Sequence, residues 1–183
     1  TDQGHLKRAR DTGVDGVVGP YGCNAEEAKR AGDGCFYPPT GSRGMAHVLC
    51  RASDYGMKAE EYARDLESNL TIACMIETPA GVRNIPSIAE VDGVSVIFIG
   101  PYDLSCALGM PGQFERPEYR SLLDEAEAAV RESGKILGGI PTSTDSSQAL
   151  YRRGYQFVVG RSDVMLLRDT ARNYVMEQRR NSD

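Results

Sequence analysis

The sequence lacks any apolar run that could cross a membrane. Its longest apolar stretches, such as residues 94–100, are far shorter than the roughly 20 residues that a membrane helix needs. A charged segment followed by an apolar one, the pattern of a secretory leader, is also missing at the amino terminus. We therefore expect a soluble, cytoplasmic protein without a membrane partner.

Positive charge is not in excess either. The 183 residues include 21 Lys and Arg against 26 Asp and Glu, a formal net charge of -5, and both signs are scattered along the chain. A protein that binds a nucleic-acid backbone presents clustered basic residues to the phosphates, so we expect no nucleic-acid partner. Polar low-complexity tracts are absent and 40% of the residues are hydrophobic, which predicts one folded domain over residues 1–183.

The spacing of the cysteines excludes two further classes of protein. The chain has five cysteines without a CxxC pair, and this odd set fits neither a disulfide framework nor a zinc site. We expect reduced thiols, most of them structural. The residues concerned are Cys23, Cys35, Cys50, Cys74 and Cys106. A nucleophilic cysteine would need a histidine partner, and neither His5 nor His47 stands in a context that supplies one.

What the chain does contain is a repeated unit, a short apolar run followed by a helical pattern, which is typical of a parallel sheet with crossover helices. Strands are predicted at residues 14–19, 71–76, 94–99, 136–140 and 157–160. Helices are predicted at residues 4–12, from Asn24 onward, 59–66, 81–88, 118–133 and 164–178, with Asp145 as a further helix cap. Two α/β arrangements fit, a barrel or an open doubly wound sheet. A complete eight-stranded barrel needs about 250 residues, so these units predict an open sheet or one part of a barrel.

A long loop rich in Gly and Pro spans residues 37–44, Tyr-Pro-Pro-Thr-Gly-Ser-Arg-Gly. Loops of this length inside a domain are usually functional. One interpretation is that Arg43 clamps a distal carboxylate of the substrate or contacts a subunit. The alternative interpretation is a structural arginine paired with an acid.

Acidic side chains follow two of the predicted strands. Glu77 comes directly after residues 71–76, and Asp103 comes shortly after residues 94–99, with no Lys or Arg beside either. The carboxyl ends of parallel strands meet at one edge of the sheet, where ligands bind. Two carboxylates held close together repel unless a cation lies between them, and a hard divalent cation takes oxygen ligands. The alternative is that each acid caps the helix that follows it.

Three segments resemble one known family. Residues 75–78 read Met-Ile-Glu-Thr, residues 84–94 read Asn-Ile-Pro-Ser-Ile-Ala-Glu-Val-Asp-Gly-Val, and residues 98–105 read Phe-Ile-Gly-Pro-Tyr-Asp-Leu-Ser. Together with the loop at 37–44, they are similar to the central signature of the HpcH/HpaI aldolases, which are class II pyruvate aldolases. The similarity extends along nearly the whole chain.

This resemblance implies a TIM-type (β/α) barrel of the phosphoenolpyruvate/pyruvate superfamily, of which the chain supplies about the last five βα units. It implies an aldolase that cleaves a 4-hydroxy-2-oxo acid to pyruvate and an aldehyde through a metal-stabilised enolate. The implied cofactor is a divalent cation, Mg²⁺, Mn²⁺ or Co²⁺. Because barrels of this family assemble as oligomers, the resemblance also implies a homo-oligomer.

The family's functional residues carry over by motif. Its metal-binding carboxylates correspond to Glu77 and Asp103. The backbone that anchors the substrate corresponds to Gly100, Pro101, Tyr102 and Asp103. Asp11 matches the acid that raises the basicity of the family's catalytic histidine. Met75 stands where the family usually has a glutamine that touches the substrate, and a thioether cannot make that hydrogen bond.

The resemblance also implies that the family's catalytic histidine and charge-stabilising arginine lie on strands that precede residue 1. Two alternatives to the aldolase therefore stay open. One keeps the fold and the metal but decarboxylates oxaloacetate and traps the resulting enolate. The other is a truncated, non-catalytic paralogue that acts as a binding or assembly subunit.

Overall fold

A sheet of five parallel strands organises the chain, as a computed structural model that describes residues 3–20 and 24–180 shows. The strands are Gly16–Gly19 (β1), Thr71–Ile76 (β2), Val94–Ile99 (β3), Ile136–Gly139 (β4) and Phe157–Val158 (β5). They lie side by side in the order in which they occur along the chain, and every neighbouring pair is parallel. A doubly wound sheet reverses its strand order at a switch point, and this sheet does not. It curls into part of a barrel, so the predicted α/β partial barrel is confirmed.

Helices connect the strands and follow the last of them. They are Gln3–Asp11 (α1), Ala25–Asp33 (α2), Ala59–Asp65 (α3), Pro79–Arg83 (α4), Ile85–Ala89 (α5), Pro101–Ala107 (α6), Pro117–Ser133 (α7), Ser147–Arg152 (α8) and Asp163–Arg180 (α9). A single 3₁₀ turn, Arg51–Ser53, precedes α3. Over residues 3–20 and 24–180, no helix combines the length and the apolar character that crossing a bilayer would require.

The two faces of the sheet bury different sets of side chains, because successive residues of a strand point to opposite faces. The face covered by helices carries the main core, in which Ile76 and Ile99 pack with helix residues such as Leu104. On the other face, Ala73 of β2 packs with Val96 and Phe98 of β3 in a smaller cluster. The polar residues that follow β2 and β3 therefore point toward one or the other of these two faces, in the same alternation.

Two helix starts show how the sequence sets element boundaries. The sequence predicts that α2 begins at Asn24, and asparagine is a residue type that commonly caps helices. In the structure the Asn24 side chain accepts a hydrogen bond from the Glu27 backbone amide at 2.9 Å. At α8 the capping residue is Ser146, whose hydroxyl accepts from the Ala149 amide at 3.2 Å. The prediction that Asp145 caps this helix is therefore wrong. The Asp145 carboxylate instead receives a hydrogen bond from Arg120 at 2.7 Å.

Other boundaries also differ from the sequence expectation; β1, for example, begins at Gly16, two residues later than predicted. The helix predicted at 81–88 is two helices, α4 and α5, because Pro86 has no amide to donate to the preceding turn. A short helix, α6, begins directly after β3, with Pro101 in its first turn where a missing amide costs nothing. β5 ends at Val158, two residues earlier than predicted.

Cysteines in the described residues are free thiols, as the sequence predicts. Cys35, Cys50 and Cys74 are buried, whereas Cys106 is exposed on α6. Burial raises the pKa of Cys74 to about 11, which favours the neutral thiol. The remaining cysteine, Cys23, lies outside the described residues.

Candidate active site

The carboxyl ends of β2 and β3 lie side by side and form the floor of the candidate site. Ile76 and Ile99, the last residues of these strands, are paired in the parallel register. One residue further, the Gly100 amide donates a hydrogen bond to the Ile76 carbonyl at 3.0 Å. Glu77 and Gly100, which directly follow the two strands, are therefore neighbours at one edge of the sheet, the carboxyl edge.

Glu77 occupies space that exists because residue 100 is a glycine. The Glu77 residue is 5% exposed. A Cβ atom built on Gly100 would lie 2.8 Å from Glu77 Cγ and 3.2 Å from Glu77 Oε1. The first of these distances is too short for any real side chain, so only glycine accommodates the glutamate in this position. The backbone thus places a buried carboxylate at the mouth of the sheet.

Asp103 lies at the same edge, in the first turn of α6. The Leu104 amide donates to the Gly100 carbonyl at 3.0 Å, so α6 begins at the strand end without an intervening loop. Asp103 is exposed and, within residues 3–20 and 24–180, forms no hydrogen bond or ion pair. The structure therefore brings both sequence-predicted carboxylates to one edge of the sheet.

The alternative interpretation, that each acid caps a helix, does not match the caps of α4 and α6. The cap of α4 is Thr78, whose hydroxyl accepts from the Gly81 amide at 3.0 Å. At α6 the capping position is Gly100, and no side chain accepts a hydrogen bond there. Neither carboxylate is therefore needed to complete the helix that follows it.

The chemistry of this edge fits a hard divalent cation. In the part of the chain that the structure describes, no group of three or more His, Cys, Asp or Glu residues could hold a metal. The protein ligands available here are the carboxylates of Glu77 and Asp103. Mg²⁺ is commonly bound by one or two carboxylates, with water and substrate oxygens completing its octahedron. Two carboxylates at an open edge satisfy that requirement. They are too few to form a closed structural site, in which protein atoms alone coordinate the metal.

Met75 lies on β2 two residues before Glu77 and therefore on the same face of the sheet. It is half-buried beside the cluster formed by Phe98, Phe157 and other apolar residues. Its Cγ atom would be 3.3 Å from a Cβ atom on Gly100. The side chain on β2 beneath Glu77 is therefore an apolar thioether.

Sequence analysis missed Ser105, which fixes α6 in place. Ser105 is fully buried, and its hydroxyl donates to the Tyr102 carbonyl at 2.7 Å. The same oxygen accepts from the Gly112 amide at 3.0 Å, so it ties the loop after α6 to the first turn of the helix. Tyr102 also packs edge-on against Phe114, with ring centroids 5.1 Å apart. The sequence feature that could have indicated this role is local: Ser105 is a serine inside the motif that resembles the family, and a loop containing glycines follows it.

Asp11 and Arg43 do not join this site. Asp11 ends α1 and stands five residues before the start of β1, which places it near the opposite, amino edge of the sheet. The Arg43 guanidinium donates to the Asp11 carboxylate at 2.7 Å, so Arg43 lies there as well. The roles expected from the sequence, that Asp11 tunes a catalytic base and that Arg43 clamps substrate or contacts a subunit, stay predictions. The pairing of Arg43 with an acid corresponds to the alternative interpretation of the loop.

The surroundings of Arg43 explain why it points inward. Its side chain is fully buried, donates to the Tyr62 hydroxyl at 2.9 Å, and lies 4.7 Å from the centre of the Tyr37 ring. Burial acts to raise the pKa of Asp11, but hydrogen bonds from Lys7 and Arg43 hold it below its ordinary value. Burial raises the pKa of Tyr37 to about 12. We call the set Lys7, Asp11, Tyr37, Arg43 and Tyr62 the arginine cluster.

The two histidines lie on separate elements. His5 is exposed on α1, and His47 lies in the loop between α2 and α3 with its ring 6.0 Å from that of Tyr37. The His47 Nδ1 atom is buried and has no hydrogen-bond partner in the described part of the chain. We assign no catalytic role to either.

A parallel (β/α) barrel sheet with two carboxylates at its carboxyl edge defines a class of α/β-barrel proteins whose chemistry collects at that edge. The profile of the HpcH/HpaI aldolase/citrate lyase family matches residues 1–170 of this chain. The chain belongs to this family, as the sequence resemblance predicts.

Relatives of established name agree with this assignment. The chain is 32% identical over 166 residues to a 4-hydroxy-2-oxo-heptane-1,7-dioate aldolase of Escherichia coli, which covers 91% of this chain and 63% of that protein. It is 31% identical over 168 residues to a hydroxypyruvate/pyruvate aldolase of Roseobacter denitrificans, covering 92% of this chain and 65% of that protein. The chain thus spans a little less than two thirds of the length of these relatives.

A solved structure shows the same fold. A family member from Burkholderia cenocepacia superimposes with a TM-score of 0.89 at 26% identity, over 97% of this chain and 70% of that one. The two relatives from Escherichia coli and Roseobacter denitrificans are named as aldolases.

Proposed function

We propose that this chain carries the metal-binding half of a carbon–carbon lyase that cleaves a 4-hydroxy-2-oxo acid to pyruvate and an aldehyde. One observation carries the proposal: Glu77 is buried in the gap left by Gly100, at the edge where Asp103 also lies. Asp103 is exposed and forms no ion pair in the described part of the chain, so its carboxylate can reach a bound cation. The backbone places both carboxylates where barrel enzymes bind their substrates.

Glu77 and Asp103 are the proposed ligands of a divalent cation, Mg²⁺, Mn²⁺ or Co²⁺. When bound, such a cation supplies Lewis-acid stabilisation of the charge that develops on a substrate oxygen. Gly100 leaves room for the glutamate, and Ser105 holds the first turn of α6, so Asp103 is kept at the same edge. These residues hold and orient the reactants, whereas proton transfer from the 4-hydroxyl group needs a base that we do not assign to the described residues.

The substrate is proposed to lie over the backbone of residues 100–103, with its 2-oxo acid end toward the carboxylates. That segment is Gly100, Pro101, Tyr102 and Asp103. Met75 supports the floor beneath it and offers no hydrogen bond to a substrate hydroxyl. Polar groups of the substrate at this depth would stay unpaired, so we expect a preference for small or apolar aldehyde products.

Binding of Mn²⁺ tests the proposal directly. The intact chain should bind Mn²⁺ in a titration followed by electron paramagnetic resonance, because two carboxylates converge on one edge. Glu77→Gln and Asp103→Asn should each weaken binding by more than about 100-fold, since each removes a metal ligand. Glu90→Gln, at an exposed acid that ends α5, is the matched control and should bind normally. Circular dichroism establishes that each variant is folded.

Pyruvate release separates the reaction classes. We expect a 4-hydroxy-2-oxo acid to yield pyruvate faster than oxaloacetate does in the presence of Mn²⁺, and Glu77→Gln to abolish the difference. Faster release from oxaloacetate would instead favour the decarboxylase. A folded chain that binds no Mn²⁺, or a Glu77→Gln variant that binds it normally, would contradict the proposal and favour a non-catalytic binding or assembly subunit.

Assembly as a homo-oligomer is part of the proposal. α9 has no buried residue, although it carries a set of exposed apolar side chains. These are Val164, Met165, Leu166, Leu167, Tyr174, Val175 and Met176. Large apolar side chains that stay in water on several sides of a helix are unfavourable, so we expect another subunit to cover part of α9. Sedimentation equilibrium should give a mass above 19.9 kDa.

A further inference from the structure

The loop that follows β4 lies at the carboxyl edge, beside the candidate site. Gly139, the last residue of β4, is paired in the parallel register with Ile99, the last residue of β3. Residues 140–145 therefore leave the sheet next to residues 100–103, the segment over which the substrate is proposed to lie. We call residues 140–145 the β4 loop.

The β4 loop packs against the start of α6. Pro101 of α6 and three loop residues, Ile140, Thr142 and Asp145, line one cavity of about 10 Å³. A space of this size holds a single water molecule at most, so it is a packing gap and not a ligand site. The loop is therefore a direct neighbour of the backbone that is proposed to anchor the substrate.

Hydrogen bonds within the β4 loop close it into a compact turn. The Thr142 amide donates to the Asp145 carbonyl at 2.9 Å, and the Asp145 amide donates to the Thr142 hydroxyl at 3.1 Å. The Thr144 amide also donates to that hydroxyl, at 3.3 Å. The conformation of the turn thus depends on the positions of its two end residues, Thr142 and Asp145.

The Asp145 carboxylate fixes one end of this turn to the neighbouring helices. Arg120 of α7 donates to Asp145 Oδ2 at 2.7 Å, and Arg153, which directly follows α8, donates to Oδ1 at 3.4 Å. The Asp145 side chain is 13% exposed, and both arginines are partly buried. Solvent therefore screens these ion pairs less than it screens pairs on the open surface.

Arg153 is itself held by a buried acid. Its guanidinium group pairs with the carboxylate of Glu127 on α7 at 2.7 Å. The Tyr155 hydroxyl donates to the same carboxylate at 2.7 Å, and an Arg131 nitrogen lies 3.5 Å from it. Side chains whose rotamers are locked by further hydrogen bonds hold a neighbouring group in one position. The contacts thus run without a break from the interior side of α7 to the β4 loop.

We propose that Asp145 is a positioning residue of the lyase site, which holds the β4 loop against α6 so that the loop and residues 100–103 together enclose the substrate. This inference rests on the proposed function. Asp145 is not a metal ligand in this scheme, because its carboxylate already accepts hydrogen bonds from two arginines. A loop that is fixed in advance needs no ordering when the substrate binds. Its release should therefore weaken substrate binding and leave cation binding intact.

Hydrogen exchange of the intact chain, followed by mass spectrometry, tests whether Asp145 fixes the loop. Asp145→Asn removes the charge that both arginines contact, so exchange in peptides covering residues 140–146 should become about tenfold faster. Asp124→Asn is the matched control, because Asp124 pairs with the same Arg153 at 3.5 Å but is exposed on α7, outside the loop. It should leave exchange in the loop unchanged. Equal exchange in the two variants would overturn the proposal.

Pyruvate release in the presence of Mn²⁺ tests the effect on the site. Asp145→Asn should raise KM for a 4-hydroxy-2-oxo acid by about tenfold, with kcat and Mn²⁺ affinity close to those of the unmodified chain. A variant that only loses folded protein would instead lower kcat and keep KM. Arg120→Met removes the other partner of the 2.7 Å contact and should also raise KM. If the unmodified chain releases pyruvate and both variants keep its KM, the positioning role is refuted. A folded unmodified chain that releases none refutes the proposed function itself, and this inference with it.

Discussion

The two edges of the sheet use acidic residues in opposite ways. Near the amino edge, Asp11 is neutralised by Lys7 and by the fully buried Arg43. At the carboxyl edge, Glu77 is buried against a glycine, and Asp103 is exposed without an ion pair in the described part of the chain. An acid paired with a buried arginine stabilises the fold, whereas the exposed Asp103 has no such arginine beside it. The residue that lies beside each acid therefore distinguishes the two edges more clearly than the acid itself does.

Removal of Arg43 should give the largest effect on stability. Arg43→Met leaves the Tyr62 hydroxyl without its donor and Asp11 with Lys7 alone. Losing one partner of a buried ion pair is strongly destabilising, and we expect a loss of about 3 kcal/mol in the free energy of unfolding. Urea denaturation measures it. Arg30→Met, which removes an exposed pair with Glu26, is the control and should change stability far less.

The same variant sharpens the contrast between the edges. Folded Arg43→Met should bind Mn²⁺ as the unmodified chain does, because Arg43 does not reach the carboxyl edge. A large loss of Mn²⁺ affinity in the folded variant would mean that the two edges are coupled. That result would restore the interpretation of Arg43 as a residue of the functional site.

Gly100→Ala should act on the carboxyl edge, and its effect should be smaller than that of Arg43→Met on stability. The added Cβ atom would lie 2.8 Å from Glu77 Cγ, so the glutamate must move. A displaced ligand should weaken Mn²⁺ binding by about 10- to 100-fold, with a smaller effect on stability. Gly160→Ala is the matched control, because nothing lies within 4 Å of its Cβ position and its φ is not in the left-handed region. Unchanged Mn²⁺ affinity in Gly100→Ala would show that Glu77 does not hold the cation in this geometry.

Acidification should give the smallest effect and should act on the amino edge. The pKa of Asp11 is lowered below 3.8 in the folded chain. A carboxyl group with a lowered pKa adds stability that is complete at higher pH and is lost as the pH falls through its folded pKa. Asp11→Asn should therefore cost about 1 kcal/mol near neutral pH, and its deficit should shrink below pH 3.8. Urea titrations at several pH values measure this.

A control acid completes that test. Asp92 is exposed and forms no hydrogen bond or ion pair within the described ranges, so Asp92→Asn should leave the pH dependence of stability unaltered. If Asp11→Asn showed the same constant deficit at every pH, the Asp11 carboxylate would not be the titrating group.

The sequence predicted those parts of the fold that depend on local pattern. β2 and β3 lie exactly where continuous apolar runs placed them, at 71–76 and 94–99. The helix at 81–88 was predicted as one because its apolar spacing continues across the break that Pro86 causes. β5 is shorter than its apolar run, and hydrogen bonding to β4, rather than residue type, sets its end.

In the candidate site too, the sequence predicts only those features that depend on local pattern. Glu77 directly follows β2 and Asp103 lies four residues after β3, so the rule that parallel strands end at one edge predicts that both lie at that edge. Asp11 and Arg43 are 32 positions apart, and their pairing depends on how the loop folds back onto α1. Nothing in the local pattern of either residue indicates that contact. The Asp11–Arg43 ion pair therefore becomes visible only in the folded chain.

The recess for Glu77 is defined by a missing Cβ atom and a backbone hydrogen bond. Side chains that surround it, such as Met75, do not create it. Substitutions at those side chains can consequently alter which molecules are accepted while the carboxylate keeps its position. The position of the carboxylate and the character of the surrounding side chains are therefore set by separate parts of the chain, the main chain in the first case and side chains such as Met75 in the second.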